Sequence, residues 1–219
     1  AFQPLGRASP VTYTSLTRTV APPVNPVTRE QVKQHLRREA SWVEDDELID
    51  GLIDAATAHV EKVSNRSLVQ QTWVLKLCAF PCGGDTWSRR IDLPRPQALS
   101  ITSIGYVDSA GSPQTLSAAN YALQGDEYGS AVVETYGNTW PDTREQPDAV
   151  TVTYVAGYAR TGAGTEADPY EYRKPVPAPI RQAILCKVQA LYDNLRPEDM
   201  AAVDQQVENL VWPYRLVSV

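Results

Sequence analysis

Apolar positions recur at helical spacing in two long stretches. From Val176 to Leu195, Ile180, Ala183, Ile184, Val188, Leu191, Tyr192 and Leu195 form one continuous stripe. Pro177 and Pro179 stand at its start, where the first amides of a helix have no partners to lose, and Pro197 marks its stop. From Glu47 to Val63 the comparable stripe is Ile49, Leu52, Ile53, Ala56, Val60 and Val63. Each stripe needs a cover, and the other is the best match for it. Thr28 with Gln31 three residues on has the capping-box pattern and opens a shorter helix edged by Val32, His35 and Leu36. Glu198 and Asp199 open a weaker one through Met200, Val203, Val207 and Leu210. The pattern therefore predicts helices near 28–39, 46–64, 178–195 and 199–210. Glu44, Asp45 and Asp46 fall where a helix dipole favours acids. Gly51, in mid-helix, is expected to let a neighbouring helix approach closely.

Between the second and third helices the period changes to two. Gln71 to Phe80 alternates, with Trp73, Leu75 and Leu77 on one side and Val74, Lys76 and Cys78 on the other. Further short strands are expected at 91–93, 101–108, 114–116, 121–123, 131–134 and, most cleanly, 149–156. The fold class is thus α+β, a small helical bundle with a large β-rich insertion. Its expected layout is an extended arm (1–26), a helical core (27–70), the β-rich insertion (71–175), the second part of the helical core (176–210) and a C-terminal docking tail (211–219). The arm carries Phe2, Leu5, Val11, Tyr13 and Leu16, more apolar residues than a linker needs. It reads equally as a loose terminus or as an arm laid across a neighbouring subunit. The apolar, aromatic tail either docks on its own domain or completes a partner's surface.

At 219 residues the chain is long enough for one domain or two small ones. No apolar run approaches the roughly 18 residues of a membrane helix, and the N-terminus lacks a signal-peptide core, so a soluble cytoplasmic protein without membrane partners is expected. A net charge of −6 disfavours a protein that grips duplex DNA, though not one that DNA slides past. Cys78, Cys82 and Cys186 lack zinc spacing and read as free thiols.

Catalytic signatures are missing. There is no nucleophile elbow, P-loop, dinucleotide fingerprint or zincin helix. His35 reads as a surface or half-buried residue and His59 as a packed one. Asp126, Glu127 and Glu134 leave an acid-pair hydrolase as a minor reading. Trp73, Trp87, Trp140 and Tyr154 could line a sugar or base platform but at this spacing read first as core and interface residues; Trp87 and Trp140, the latter in a loop where it looks exposed, leave a β-rich carbohydrate- or surface-binding module as another minor reading. No catalytic, cofactor-binding or metal residue is assigned, and no enzyme activity is expected.

Four blocks taken in order carry a resemblance. They are Ala55 to Trp73 (AATAHVEKVSNRSLVQQTW), Leu93 to Leu116 (LPRPQALSITSIGYVDSAGSPQTL), Ala149 to Tyr158 with Pro177 to Asn194, and the tail NLVWPYRLVSV from Asn209. Together they resemble the head–tail connector (adaptor) proteins of tailed double-stranded DNA phages, prophages and gene transfer agents. The arm before Val27 and the loop 162–175 depart from the pattern. The resemblance implies a homo-oligomeric ring, typically twelvefold, beneath the portal protein in the neck of a virion, assembled in the host cytoplasm. Such a ring extends the DNA channel, lets packaged double-stranded DNA pass without sequence-specific binding, and gives the next neck or tail protein its attachment surface. It implies portal docking for Trp212, Pro213, Tyr214, Arg215 and Leu216, and no cofactor.

Overall fold

The computed structural model describes residues 13–82, 89–126, 128–158, 160–161, 171–172 and 176–216. The chain divides into two compact units, one of Pro22–Gln70 with Gly157–Val219 and one of Ala1–Ala21 with Gln71–Ala156.

The first unit is helical. Helix α1 spans Arg29–His35, and its capping box is complete: Thr28 Oγ1 accepts the Gln31 amide at 3.3 Å while Gln31 Oε1 accepts the Thr28 amide at 3.1 Å. It stops short of the expected residue 39. Arg37 takes the left-handed backbone region at φ +56°, and the Arg38 amide returns to the Lys33 carbonyl at 2.8 Å. Helix α2 spans Asp46–Ser64, as its apolar period predicts, and ends on Asn65 at φ +55°. The two helices are tied by ions: Arg29 bonds Asp46 at 2.9 Å and, through Nε, Asp50 at 2.9 Å. The acids at the start of α2 are therefore cross-links as well as dipole partners. Asp45 caps nothing with its side chain and instead accepts the Tyr192 hydroxyl at 2.6 Å. Gly51 meets nothing within 4 Å of where a Cβ would stand, so the expected close helix approach is absent.

Helix α3 spans Ala178–Tyr192 and α4 spans Pro197–Val211. The α3 stripe ends three residues before the expected 195, because Asn194 turns left-handed at φ +48°. Helix α4 begins two residues before the expected 199, with Pro197 in its first turn. Ile49, Ile53, Ala56 and Val60 of α2 share a core with Ile180, Ala183, Ile184 and Val188 of α3 and with Val207 and Val211 of α4, each at most 2% exposed. Each large aliphatic chain among them contributes about 1.5–3 kcal/mol by leaving water. Gly157 is forced by its surroundings. Its φ is +126°, Val69 and Tyr158 form a bridge beside it, and a Cβ there would stand 2.3 Å from the Val69 carbonyl oxygen.

The second unit is antiparallel β. Its strands are β1 (Tyr13–Val20), β2 (Gln71–Leu77), β3 (Ile91–Leu93), β4 (Ala98–Val107), β5 (Pro113–Thr115), β6 (Tyr121–Gly125), β7 (Ser130–Glu134) and β8 (Val150–Ala156). They form a five-stranded sheet in the order β1-β2-β8-β4-β5 and a three-stranded sheet in the order β3-β7-β6. Central β8 turns Val150, Val152, Tyr154 and Ala156 into a core with Leu75, Leu77, Ile91, Ile104 and Val132. The residues expected to be an arm are in part a strand of this sheet: β1 pairs with β2, Tyr13 opposite Leu77 and Leu16 opposite Leu75. A short ladder of Arg160–Thr161 with Glu171–Tyr172 lies outside these sheets.

Candidate functional site

The residues expected to dock lie at the end of α4. Val211 is fully buried in the helical core, and Trp212–Tyr214 then form a single 3-10 turn, closed by the Arg215 amide on the Trp212 carbonyl at 3.1 Å. Two hydrogen bonds hold this turn to the end of α2. Arg66, 2% exposed, donates its Nε–H to the Tyr214 carbonyl. The Ser64 carbonyl, at a helix end that leaves carbonyls without helical partners, accepts the Leu216 amide at 3.1 Å. Tyr214 packs on the helical core.

The five expected docking residues thus divide. Tyr214 and Leu216 are half-buried against their own unit, whereas Trp212, Pro213 and Arg215 are exposed. Trp212 leaves 64% of itself in solvent, with the Arg215 guanidinium 5.7 Å from its ring centroid. A large indole on a fixed turn, with a cation beside it, can fill an apolar pocket rimmed by acidic groups. Tryptophan and arginine are the side chains that most often anchor protein interfaces.

Of the expected arm residues, Tyr13 is 48% exposed and Leu16 packs on the β core, while Phe2, Leu5 and Val11 lie outside the described residues. Trp140 follows its reading as a core or interface residue and not the alternative of an exposed sugar platform. It is half-buried, stacks on Phe80 at 5.0 Å with planes 2° apart, and donates its indole N–H to the Arg89 carbonyl at 2.6 Å. Trp87 lies outside the described residues. Tyr154 is fully buried and its hydroxyl donates to the Pro94 carbonyl at 2.5 Å; burial pushes its ionisation well above the usual phenol range.

Among the described residues, Asp126 and Glu134 do not form an acid pair. Glu134 stands opposite Tyr121 at one end of the β6–β7 hairpin, and Asp126 follows β6 at the other, where its carboxylate accepts the Tyr128 and Gly129 amides at 2.8 and 3.1 Å. Four residues of strand separate the ends by about 13 Å, beyond the roughly 5–9.5 Å of glycosidase carboxylates. Glu134 is engaged already, pairing with Arg89 at 3.2 Å and accepting the Trp140 amide at 2.6 Å. Glu127 lies outside the described residues. Cys78 and Cys82 are exposed and Cys186 is half-buried, all three free. No group of three metal-ligating side chains gathers among the described residues.

The sequence reading missed the buried cations. Lys187 on α3 pairs with Asp204 on α4 at 2.5 Å, and His59 on α2 approaches the same carboxylate oxygen at 3.5 Å. Burial, aided by the Lys187 charge, holds the imidazole below the ordinary histidine range. The Lys187–Asp204 pair ties α3 to α4, and the neutral imidazole packs beside it with its Nε2 making no hydrogen bond, an arrangement that activates no nucleophile. Lys187 and Lys33 could have been found, since each interrupts an apolar helical face next to Val188 and Val32. Arg66, in a loop, carries no such signal.

No family model matches the chain, and no curated protein matches it. Solved structures do. The fold is similar to a chain in the virion of a native gene transfer agent (GTA) particle, with a TM-score of 0.69 and 22% identity over 93% of this chain and 96% of that one. It is similar to a chain from the neck of an empty GTA particle computed with C6 symmetry, with a TM-score of 0.68 and 21% identity over 94% and 97%. A chain from the neck of a native GTA particle computed with C12 symmetry matches with a TM-score of 0.65 and 21% identity over 94% and 97%.

Proposed function

We propose that this chain is a structural head–tail connector (adaptor) subunit of a phage-like particle. In this reading copies close into a ring, twelvefold by expectation, beneath the portal in the virion neck after assembly in the host cytoplasm. The ring extends the channel for packaged double-stranded DNA and offers the next neck or tail protein its attachment surface.

The observation that carries the reading is the likeness in fold, over 93–94% of this chain, to a chain of a GTA virion and to chains of two GTA necks computed with C6 and C12 symmetry. The net charge of −6 supports it, because a basic lining would retain DNA through counterion release. So does the turn at Trp212, whose exposed indole and neighbouring Arg215 suit insertion into the portal.

The test is co-expression with the portal protein of the same particle, followed by light scattering and cryo-EM. A closed ring stacked on the portal is expected; a strict monomer in the presence of portal would overturn the reading. Removing everything from Val211 would also remove core, since Val211 is fully buried. The cleaner probe of docking is Trp212→Ala with Arg215→Ala, which should leave the helical fold intact and abolish portal retention.

A further inference from the structure

A second exposed tryptophan lies between α1 and α2. Two tight turns shape this connection, from the Trp42 amide to the Glu39 carbonyl at 3.1 Å and from the Asp46 amide to the Val43 carbonyl at 3.3 Å. Lys33, only 5% exposed, fixes them from within. Its ammonium donates to the carbonyls of Ala40 at 3.3 Å and Trp42 at 2.5 Å and pairs with the Asp46 carboxylate at 2.5 Å. The Arg38 guanidinium lies 4.9 Å from the Trp42 ring. A buried ammonium is costly unless its protons are used, and here three acceptors use them.

What this framework holds in solvent is apolar. Trp42 is 40% exposed, Val43 67% and Leu48 55%. Exposed Glu39, Glu44 and Glu47 neighbour them in the sequence, as do the exposed cations Arg37 and Arg38, leaving the segment net acidic. Large apolar side chains within a polar rim, on a fixed backbone, have the anatomy of a docking surface.

We propose that residues 1–12 of a second copy of this chain cover Trp42, Val43 and Leu48. The proposal rests on the ring reading above, which brings copies side by side. The segment AFQPLGRASPVT supplies the matching chemistry: Phe2, Leu5 and Val11 are apolar, Arg7 is cationic toward the glutamate rim, and there is no acid among the twelve. Pro4 and Pro10 restrict the backbone and lower the cost of ordering it. Twelve extended residues span about 40 Å, enough to reach from one subunit to the next. A donor segment and a dissimilar acceptor patch on each subunit are what a head-to-tail ring requires.

The test places the photo-cross-linker p-benzoylphenylalanine at Val43 of the full chain. Equal amounts of unlabelled and nitrogen-15-labelled copies are assembled on the portal, irradiated and read by peptide mass spectrometry, with the oligomeric state taken from the same sample. Cross-links from position 43 to residues 1–12 that join the two isotopes are expected. Leu48→Glu should cut their yield by about tenfold or more, since it sets a like charge among the glutamates and an unpaired one against the apolar segment. Links confined to single copies, links to any other segment, or closed rings without the links would each overturn the proposal and leave the ring reading standing. Isotopically mixed links to 1–12 in open oligomers would support the proposal against the closed ring. A monomer without mixed links would overturn both.

Discussion

Replacing Arg66 by methionine isolates what holds the candidate docking turn. Methionine keeps most of the stem and removes the guanidinium from a side chain that is 2% exposed. The Tyr214 carbonyl then loses a charge-assisted bond worth about 1.5–3 kcal/mol, partly offset because a buried cation no longer has to be desolvated. A net loss of about 2 kcal/mol follows, or about 4–8 °C in Tm for a chain of this size. The loss should be largest locally. The Leu216 amide is tied to the Ser64 carbonyl at 3.1 Å in the same turn, so its hydrogen exchange should quicken about 30-fold, the factor that 2 kcal/mol sets. Hydrogen exchange with peptide-level readout, beside thermal unfolding, measures both. Unchanged exchange at 212–216 in a folded Arg66→Met variant would refute the reasoning, since the turn would then stand without its buried anchor.

Other substitutions test the rest of the framework. Gly157→Ala should destabilise by about 2 kcal/mol or more in urea unfolding, because the left-handed backbone and the Val69 carbonyl 2.3 Å away both resist a Cβ. Asp204→Asn should cost about 1–3 kcal/mol by leaving the Lys187 ammonium poorly paired, and the double change Lys187→Met with Asp204→Leu should recover most of it. Stability should fall as pH drops, for two reasons of the same sign. Lys33 holds the Asp46 carboxyl, and Arg29 the Asp50 carboxyl, below the usual range, so the stability they add above the ordinary carboxylate pKa is lost as the folded groups protonate. The His59 imidazole is likewise held low by burial, so below about pH 6.5 the unfolded chain takes up its proton first. Tm followed from pH 7 down to about 2 checks the sum, because the carboxylate part is lost below the ordinary Asp value of 3.8, and His59→Gln should flatten the part at higher pH.

Local periodicity made the helices readable. The ends of α2 and the Thr28–Gln31 capping box follow from residues within a few positions of one another. Helices α1 and α3 end where Arg37 and Asn194 turn left-handed, and no glycine announces either turn. Strand β1 was invisible for another reason: its partner β2 lies beyond two helices, and Tyr13 gains its place only by pairing with Leu77. Trp140 looked exposed because Phe80, which covers it, is remote in sequence. The candidate docking residues came from the family resemblance, and their division into exposed Trp212 and Arg215 and inward Tyr214 depends on Arg66 and Ser64, which no periodic signal marks.

The order of segments along the chain has a consequence for biosynthesis. One unit takes Ala1–Ala21 and Gln71–Ala156, the other Pro22–Gln70 and Gly157–Val219, so each interrupts the other. No continuous stretch of the gene encodes either unit alone. On the ribosome the first helices must wait for α3 and α4 before their apolar faces are covered, while β2 can pair with the earlier β1 before central β8, which joins them to β4, has been made. A cut anywhere within Pro22–Gln70 would separate both units from their missing parts, whereas a cut after Ala156 would leave the β unit whole and strand the first helices without α3 and α4.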